Sequence, residues 1–432
     1  MILAAKEAEA IFSAALHAVE PAAAVTGHLK TVKARLDDSG AGRLVVVAFG
    51  KAAWPMCRAV EAGLVDRVSA GVAITKYGHG GALKKIKIFE ASHPLPDEKG
   101  AAAAAEAIEL LEAADEKTLI LCLASGGGSA LLVSPAEGIS LEEKQQTTDL
   151  LLRCGADIGE LNAVRKHLSR VKGGRLAAIA HPAEVLSLIL SDVIGDPLDV
   201  IASGPTAPDG STFGDAMAIL EKYDLLSKVP PNVRRLLEEG VTGQREETPK
   251  PGDPLFRRVE NRIIGNNGIA IEAARSKAES LGFEASCRRE PVSGDVEEAA
   301  TELADLALWA KNEKETTSPL CFISGGETTV AVRGSGKGGR NMELALHFAE
   351  KIRDVPGITL LSAGTDGTDG PTDAAGALVD GATVPDALAK GHDAAAYLAN
   401  NDSYSFFDKA GGLFKTGPTG TNVMDLQIMI VE

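Results

Sequence analysis

The chain has 432 residues, more than one hydrophobic core usually serves, so two domains are expected. Its 45% hydrophobic and 24% charged residues are ordinary for a globular protein, and its net charge of -16 argues against nucleic acid or an anionic membrane as the main partner. Five cysteines without a Cys-x-x-Cys pair argue against a disulfide scaffold or structural zinc. Lys6 and Glu7 lie where a signal peptide would be apolar, and no apolar run could span a bilayer, so a cytoplasmic protein is expected.

Apolar runs alternate with helical patterns along the first part of the chain. Strands are predicted at residues 44–49, 71–75, 86–89, 118–123 and 185–190, and helices at 99–114, 141–153 and 158–180. This alternation implies a mostly parallel sheet with helices on both faces. Residues 1–245 are therefore predicted to form one α/β domain of this kind.

The composition changes at residues 241–260, where three prolines and several charges are typical of a linker, placed here at 246–260. Strands are predicted again at 263–264, 320–323, 328–332 and 358–361, and helices at 269–281, 295–312 and 341–352. Residues 261–432 are thus expected to form a smaller α/β domain, which makes the fold class α/β with two domains.

An acidic, glycine-rich segment at residues 364–376 follows the predicted strand 358–361 and contains Asp366, Asp369 and Asp373. Open α/β sheets bind ligands at the carboxyl ends of their strands. Glycine lets backbone amides approach a ligand, and aspartate can act as a base or hold a hard cation. An acidic surface loop is the alternative explanation. The density of both residue types at one strand end favours a functional site.

Two more glycine-rich segments follow predicted strands. Residues 125–129 (Ser-Gly-Gly-Gly-Ser) lie between the strand 118–123 and a helical pattern, an arrangement in which free amides and the helix dipole attract anions. A tight turn is the alternative. Residues 324–327 (Ser-Gly-Gly-Glu) follow the strand 320–323. Two such loops in two domains suggest a cleft with sites that face each other.

Residues 334–339 fit the pattern Gly-x-Gly-x-x-Gly of nicotinamide-dependent enzymes. The acidic residue expected roughly 20 positions later is missing, because the next candidate, Asp366, lies further on and within the acidic segment. The P-loop pattern is absent. A reductase stays open as an alternative on this evidence.

Two basic residues stand near predicted helix starts, where a positive charge opposes the helix dipole. Lys51 follows Gly50 at the end of the strand 44–49 and could neutralise a phosphate, although a surface lysine is the alternative. Arg340 follows two glycines and could clamp a carboxylate or a transferring phosphoryl group. A solvated basic face on one helix is predicted for Arg165, Lys166 and Arg170.

Carboxylates near phosphate loops suit Mg²⁺, which takes one or two carboxylates together with phosphate oxygens. Asp192 and Asp196 follow the strand 185–190 and are candidates. His93 and His167 are predicted to be structural rather than metal ligands.

These segments resemble, in the same order and along nearly the whole chain, the class II glycerate kinases, a family that carries the MOFRL domain and is often misnamed hydroxypyruvate reductase. Met342 is the one departure, where the family is expected to have glutamine. The matching segments are residues 49–52, 91–97, 125–130, 161–169, 191–196, 202–206, 324–329, 338–343 and 364–376.

The resemblance implies an ATP-dependent kinase that converts D-glycerate to 2-phosphoglycerate with Mg²⁺. It also implies that the active site lies in a cleft between an N-terminal Rossmann-like domain, residues 1–245, and a smaller α/β C-terminal domain, residues 261–432. It implies that the catalytic residues are Lys51, Arg340 and Asp366, with Asp366 accepting the proton of the attacking hydroxyl. Nucleotide and phosphate groups are expected to meet Ser125, Gly126, Gly127, Gly128, Ser129 and Lys166. Substrate-binding residues are expected to be Gly50, Arg340 and Asn341, and magnesium ligands Asp192 and Glu327.

Three functions stay open at this point. The kinase leads, and an NAD(P)H-dependent hydroxypyruvate reductase and a catalytically silent nucleotide-binding module are the alternatives. The expected partners are D-glycerate and ATP rather than nucleic acid or a membrane, and the sequence leaves open whether the protein is a homodimer.

Overall fold

The computed structural model describes residues 2–38, 40, 42–313 and 318–432. These residues form two compact units. The first, Pro21–Ile264, is called the N-terminal unit; the second, called the C-terminal unit, joins the chain up to Glu20 to Gly265–Glu432. Helix α1 (Ile2–Ala18) therefore belongs to the C-terminal unit, although residues 1–245 are predicted to form one domain.

The described part of the N-terminal unit contains a six-stranded sheet in the order β3-β2-β1-β4-β5-β6. The neighbours from β3 to β5 pair in parallel. The strands are β1 (Arg43–Phe49), β2 (Val68–Lys76), β3 (Ile86–Ala91), β4 (Thr118–Ala124), β5 (Glu184–Leu190) and β6 (Val259–Gly265). The helices are α2 (Pro21–Asp38), α3 (Ala53–Leu64), α4 (Glu98–Glu112), α5 (Gly128–Leu131), α6 (Leu141–Arg153), α7 (Ile158–His167), α8 (Arg175–Ala180), α9 (Phe213–Lys222) and α10 (Pro231–Val241).

Helices cover both faces of this sheet, as the continuous apolar strands predict. Along β1, Leu44 and Val46 pack in one core with residues of α2 and α3, while Val45 and Val47 pack in a second core with residues of α4. Because successive side chains of a strand point to opposite faces, a strand buried on both sides reads as an unbroken apolar run. The predicted parallel α/β architecture is confirmed.

Two segments differ from the sequence prediction in this unit. The predicted helix 158–180 is interrupted between α7 and α8, where Gly173 and Gly174 adopt positive φ values of 58° and 79°. The predicted linker 246–260 packs within the unit: the Pro249 carbonyl accepts from the amide of Asp209, and Thr248 is buried. Proline-rich composition marks irregular backbone, but it does not reveal whether that backbone is packed or free.

The described part of the C-terminal unit is a mixed sheet in the order β12-β11-β10-β13-β9-β7, with β8 beside β9. Strands β10 to β13 and β9 pair antiparallel, whereas β7 and β8 run parallel to β9. The strands are β7 (Glu284–Cys287), β8 (Val292–Asp295), β9 (Leu320–Thr329), β10 (Ile358–Gly364), β11 (Gly376–Asp380), β12 (Leu413–Phe414) and β13 (Asp425–Val431). The helices are α11 (Asn267–Ser280), α12 (Val296–Glu313), α13 (Arg340–Lys351), α14 (Thr383–Ala389), α15 (Ala394–Ala399) and α16 (Ser403–Ala410).

The prediction of a glycine loop at residues 324–327 is wrong, because these residues lie inside strand β9. The strands predicted at 320–323 and 328–332 are therefore parts of one strand, which ends at Thr329. Gly325 and Gly326 pair with Leu426 and Asp425 of β13. A Cβ atom built on Gly326 would lie 2.2 Å from the carbonyl oxygen of Val292 in β8. The glycine therefore allows close strand contact instead of forming a turn.

Among the described residues, no single helix is long and apolar enough to cross a membrane. The consecutive helical segments Leu3–Ala18 and Pro21–Asp38 meet that length and composition only when taken together.

A helical glycine offers a stability test in the N-terminal unit. A Cβ atom built on Gly240 of α10 would lie 2.1 Å from Cγ of Phe213, whereas one built on Gly27 of α2 would meet no atom within 4 Å. We expect Gly240→Ala to lower the free energy of unfolding by about 1–3 kcal/mol through overpacking. Gly27→Ala should raise it by up to about 1 kcal/mol through helix propensity. Urea unfolding of both variants tests these opposite signs; stabilisation by both changes would contradict the tight contact.

Candidate active site

The loops after β1 and β4 lie where the strand order of the N-terminal sheet reverses. Strand β2 is on one side of β1 and β4 is on the other, and such switch points hold the ligand sites of open α/β sheets. The amide of Lys51 donates to the carbonyl oxygen of Gly126 at 2.9 Å, and the amide of Ser125 donates to that of Phe49 at 3.1 Å. The two predicted loops are therefore one hydrogen-bonded structure.

Glycine is required in these loops by close packing. Gly50 has a φ of 117°, and a Cβ atom built on it would lie 2.2 Å from Oγ of Ser125. Gly127 has a φ of 81°, and its Cβ atom would lie 2.9 Å from Cδ2 of His93. Any side chain at either position would push the two loops or His93 apart.

The helix after the glycine loop is shorter than expected. Helix α5 has four residues, Gly128–Leu131, so its dipole adds little attraction for an anion. Positive charge at this end of the sheet comes instead from Lys51, which is half-buried in the turn before α3.

Lys51 acts on two titratable neighbours of the loop. Burial and then the charges of Lys51 and Lys76 lower the pKa of His93 to about 4, so the imidazole is neutral at pH 7. Burial raises the pKa of Asp192, while the charge of Lys51 opposes that shift. A neutral histidine, a lysine and a carboxylate thus surround the glycine loop.

Asp192 is the predicted metal ligand that fits Mg²⁺ in this unit. It follows β5, and its Oδ2 atom would lie 2.3 Å from a Cβ atom built on Gly126, so the carboxylate faces the glycine loop. A half-buried carboxylate beside a phosphate loop can supply the one protein ligand that Mg²⁺ needs when phosphate oxygens supply others.

Lys166 lies apart from this set. Its side chain is buried, and its Nζ atom is 3.2 Å from both Asp199 Oδ2 and Asp209 Oδ1. The predicted solvated basic face is therefore wrong for Lys166. Because two carboxylates already neutralise its charge, the structure gives it no free charge for a phosphate. Ser129 Oγ shares a hydrogen bond with Ser203 Oγ at 2.8 Å.

In the C-terminal unit, Arg340 begins α13 and is held by two carboxylates. Its Nε and Nη2 atoms donate to Oδ2 and Oδ1 of Asp425 at 2.5 and 3.0 Å, and its Nη1 atom donates to Glu327 Oε1 at 2.6 Å. Hydrogen bonding to Asp425 and the charge of Glu327 raise the pKa of Arg340 in spite of burial. Because Glu327 is paired with Arg340, it fits a metal site poorly.

The three aspartates of the acidic segment have different environments. Asp366 is half-buried, and its Oδ1 atom accepts from the amide and hydroxyl of Thr368. Asp369 is buried and accepts from the amides of Asn341 and Met342 at the start of α13; burial raises its pKa to about 7. Asp373 pairs with Lys415 and Tyr404 at the surface, which lowers its pKa to about 2.

The structure brings Asp366 close to the Arg340 pair. A Cβ atom built on Gly364 would lie 3.4 Å from Oδ1 of both Asp366 and Asp425. Asp425 is not among the residues predicted from the sequence, because it opens strand β13, for which no strand is predicted. The apolar run that follows Asp425 is the signal that could have placed it at a strand end.

Asn341 and the glycine pattern 334–339 have structural partners. Asn341 is buried, and its Oδ1 atom accepts from Ser362 Oγ at 2.8 Å, so its side chain ties α13 to β10. The amide of Gly336 donates to the carbonyl oxygen of Asn400, and a Cβ atom on Gly334 would lie 2.3 Å from that oxygen. Close packing therefore explains these glycines without a dinucleotide.

The chain matches two family models and several known proteins. Residues 7–238 match the domain of unknown function DUF4147, and residues 320–425 match the MOFRL family. The chain is 45% identical to a glycerate 2-kinase of Pyrococcus horikoshii over 96% of this chain and 95% of that protein. It is 45% identical to a D-glycerate 2-kinase of Thermotoga maritima over 93% and 94% of the two chains. A crystal structure of glycerate kinase (EC 2.7.1.31) from Thermotoga maritima matches with a TM-score of 0.90 and 44% identity over 99% of both chains.

Fold and sequence together define a two-unit α/β protein with a MOFRL domain. The chain belongs to the glycerate kinase family, and the resemblance found in its motifs is confirmed.

The influence of Lys51 on His93 can be measured directly. We expect Lys51→Met to raise the pKa of His93 above about 4, because a neighbouring positive charge is removed while burial remains. Between about pH 4 and 6.5 the unfolded chain binds a proton that the folded chain does not, so the stability contributed by neutral His93 is lost as the pH falls through this window. NMR titration of the ring protons reports the pKa. Lys33→Met, at an exposed position of α2, is the control; equal pKa values in both variants would contradict the contact.

Proposed function

We propose that this protein transfers the γ-phosphoryl group of ATP to the 2-hydroxyl group of D-glycerate and releases 2-phosphoglycerate and ADP. The observation that carries this proposal is that the chain is 45% identical to two enzymes named as glycerate 2-kinases, over 96% and 93% of its length. Two features support it: Lys51 is hydrogen-bonded to the glycine loop 125–129 in the N-terminal unit, and Arg340 is paired with Asp425 in the C-terminal unit.

In this reaction the substrate oxygen forms a bond to the γ-phosphorus while the bond from that phosphorus to the bridging oxygen of ADP breaks. The hydroxyl proton passes to a protein base, and negative charge on the phosphoryl oxygens needs positive neighbours. Lys51 is proposed to supply one of these charges, with the phosphates resting on the glycine loop 125–129. The loop offers backbone approach, since Gly126 and Gly127 carry no side chains.

Asp192 would hold Mg²⁺ against the phosphates at this loop. When bound, the ion would neutralise charge on the phosphate oxygens of the nucleotide. A bound cation would also favour the ionised form of Asp192, whose pKa is otherwise raised by burial.

Arg340 is proposed to stabilise the transferring phosphoryl group with one edge of its guanidinium. Asp425 occupies Nε and Nη2, so this carboxylate fixes the orientation of the plane. Nη1 faces Glu327, which is partly exposed, and a phosphoryl oxygen could replace that carboxylate as its partner. Asp425 acts in this proposal as a positioning residue.

Asp366 is the proposed base. Among the three aspartates of its segment, Asp369 is committed to the start of α13, and Asp373 is paired with Lys415 at the surface. Asp366 combines partial exposure with proximity to Asp425 and hence to Arg340.

The reductase alternative has less support. Its motif, residues 334–339, is explained by packing against Asn400, and the expected ribose-binding acid is missing.

A direct test incubates the protein with D-glycerate, ATP and Mg²⁺ and follows ADP and 2-phosphoglycerate. In parallel, NADH oxidation is followed with hydroxypyruvate. Formation of 2-phosphoglycerate supports the kinase, whereas NADH oxidation without ADP formation would replace it with the reductase.

Removal of the proposed base should affect turnover more than binding. We expect Asp366→Asn to lower kcat by on the order of 100-fold to 10,000-fold, with nucleotide affinity retained, because the side chain keeps its size but no longer accepts a proton. Asp373→Asn is a matched control in the same segment, since its carboxylate is paired at the surface, and it should keep kcat near that of the wild type. Full activity of Asp366→Asn would remove Asp366 from the mechanism.

A further inference from the structure

Three basic side chains lie together inside the N-terminal unit; Lys144, Arg165 and Lys172 are called here the basic cluster. Lys144 and Lys172 are buried, and Arg165 is half-buried. Burial lowers the pKa of all three groups. The charge of Arg165 adds to this effect at both lysines: the pKa of Lys144 falls to about 7, and that of Lys172 falls well below its usual value. The positive charges of these groups therefore oppose one another in a region with little solvent.

No carboxylate among the described residues forms an ion pair with the basic cluster. Lys166, adjacent to Arg165 on α7, shows the contrast, because it has both Asp199 and Asp209 within 3.2 Å. Buried charge without a counter-charge is unfavourable, and proteins usually pair it.

The three side chains of the basic cluster differ in how many hydrogen-bond acceptors the protein provides for them. Lys144 Nζ donates to the carbonyl oxygens of Arg165 and Leu168 at 3.0 and 2.9 Å, so it caps the end of α7. Lys172 Nζ has two long contacts, each 3.4 Å, to the carbonyl oxygens of Leu132 and Ala202. The Arg165 guanidinium, which has five donors, has no hydrogen-bond acceptor among the residues that the structure describes.

Neutral polar groups connect the cluster to the glycine loop. Ser203 Oγ donates to Asn162 Oδ1 at 3.0 Å and shares a hydrogen bond with Ser129, the last residue of the loop. Asn162 lies one turn before Arg165 on α7, so the two side chains share a face of that helix. Ala202, whose carbonyl contacts Lys172, and Ser203 both have positive φ values, 51° and 62°. Such backbone strain in non-glycine residues is typical of functional sites.

We infer that Arg165 and Lys172, together with Asn162, Ser129 and Ser203, bind an oxyanion group of a reactant: the carboxylate of the hydroxy acid or a phosphate of the nucleotide. Arg165 supplies a planar pair of donors that matches either group, and Lys172 supplies a point charge. The hydroxyl and amide groups are suited to the remaining oxygens of the ligand. The inference rests on the proposed function for the identity of the reactants, and on the cluster alone for the oxyanion.

Equilibrium binding to the intact protein tests this site. D-glycerate, MgADP and inorganic phosphate are titrated separately into the wild type, Arg165→Gln and Arg165→Lys. We expect Arg165→Gln to weaken at least one ligand by about 10-fold or more, and Arg165→Lys to recover part of the loss because it restores charge but not the planar fork. Loss of glycerate affinity alone assigns the carboxylate, and loss of MgADP affinity alone assigns a nucleotide phosphate.

Two further variants keep the test decisive. Arg170→Gln changes an exposed arginine that lies 3.7 Å from Glu112, and it should bind all three ligands as the wild type does. Asn162→Asp keeps the side-chain volume and places a carboxylate one turn from Arg165, so it should repel the oxyanion and weaken its binding. This variant tests the site independently if Arg165→Gln does not fold. Unchanged affinities in Arg165→Gln or in Asn162→Asp would overturn the inference, as would a wild type that binds none of the three ligands. If the wild type binds phosphate through Arg165 but does not phosphorylate glycerate, the proposed function fails while the oxyanion site stands.

Discussion

The candidate site of the N-terminal unit depends on the close approach of Gly50 to Ser125. These residues directly follow the neighbouring parallel strands β1 and β4, at the point where the strand order reverses. With a Cβ atom 2.2 Å from Ser125 Oγ, no other residue at position 50 would allow the two loops to share their backbone hydrogen bonds. That contact places Lys51 beside Gly126 and Gly127, the two glycines that Asp192 and His93 also approach.

The C-terminal unit achieves its geometry by charge pairing rather than by close backbone contact. Arg340 is fixed by both oxygens of Asp425, which lies at the start of β13, in the middle of the sheet. Asp369 holds the first amides of α13 from a different loop, so the helix that carries Arg340 is anchored at its N-terminal end. The three aspartates of the acidic segment therefore differ in role: Asp369 supports the helix, Asp373 binds a surface lysine, and Asp366 lies near Asp425, the partner of Arg340.

Adjacent residues on α7 show why a count of charges does not reveal function. Lys166 and Arg165 are neighbours in sequence, yet one enters a pair of carboxylates and the other enters a region of like charge. The first arrangement is self-contained and stabilises the fold. The second has no counter-charge among the residues that the structure describes, and this is the physical basis for the inference that it binds an anion.

The sequence by itself determined the parallel α/β architecture of the N-terminal unit, because strands buried on both faces, such as β1, must be continuous apolar runs bounded by glycine. It also predicted that Lys51, the loop 125–129 and the acidic segment follow strand ends and that Arg340 stands at a helix start, and the motifs of all four resemble those of a known family. It failed where local pattern and long-range packing disagree. Residues 324–327 have loop composition but fill a central strand, because glycine there admits the Val292 backbone.

Only the tertiary structure decided which charges are paired. The partners of Arg340, Lys166 and Asp373 lie 13 to 85 residues away along the chain, so no local pattern could identify them. The same is true of α1, which precedes the N-terminal unit in sequence but packs with α11 and the C-terminal sheet. Local sequence sets backbone preference and burial period, whereas ion pairs and unit boundaries depend on which distant elements the folded chain brings together.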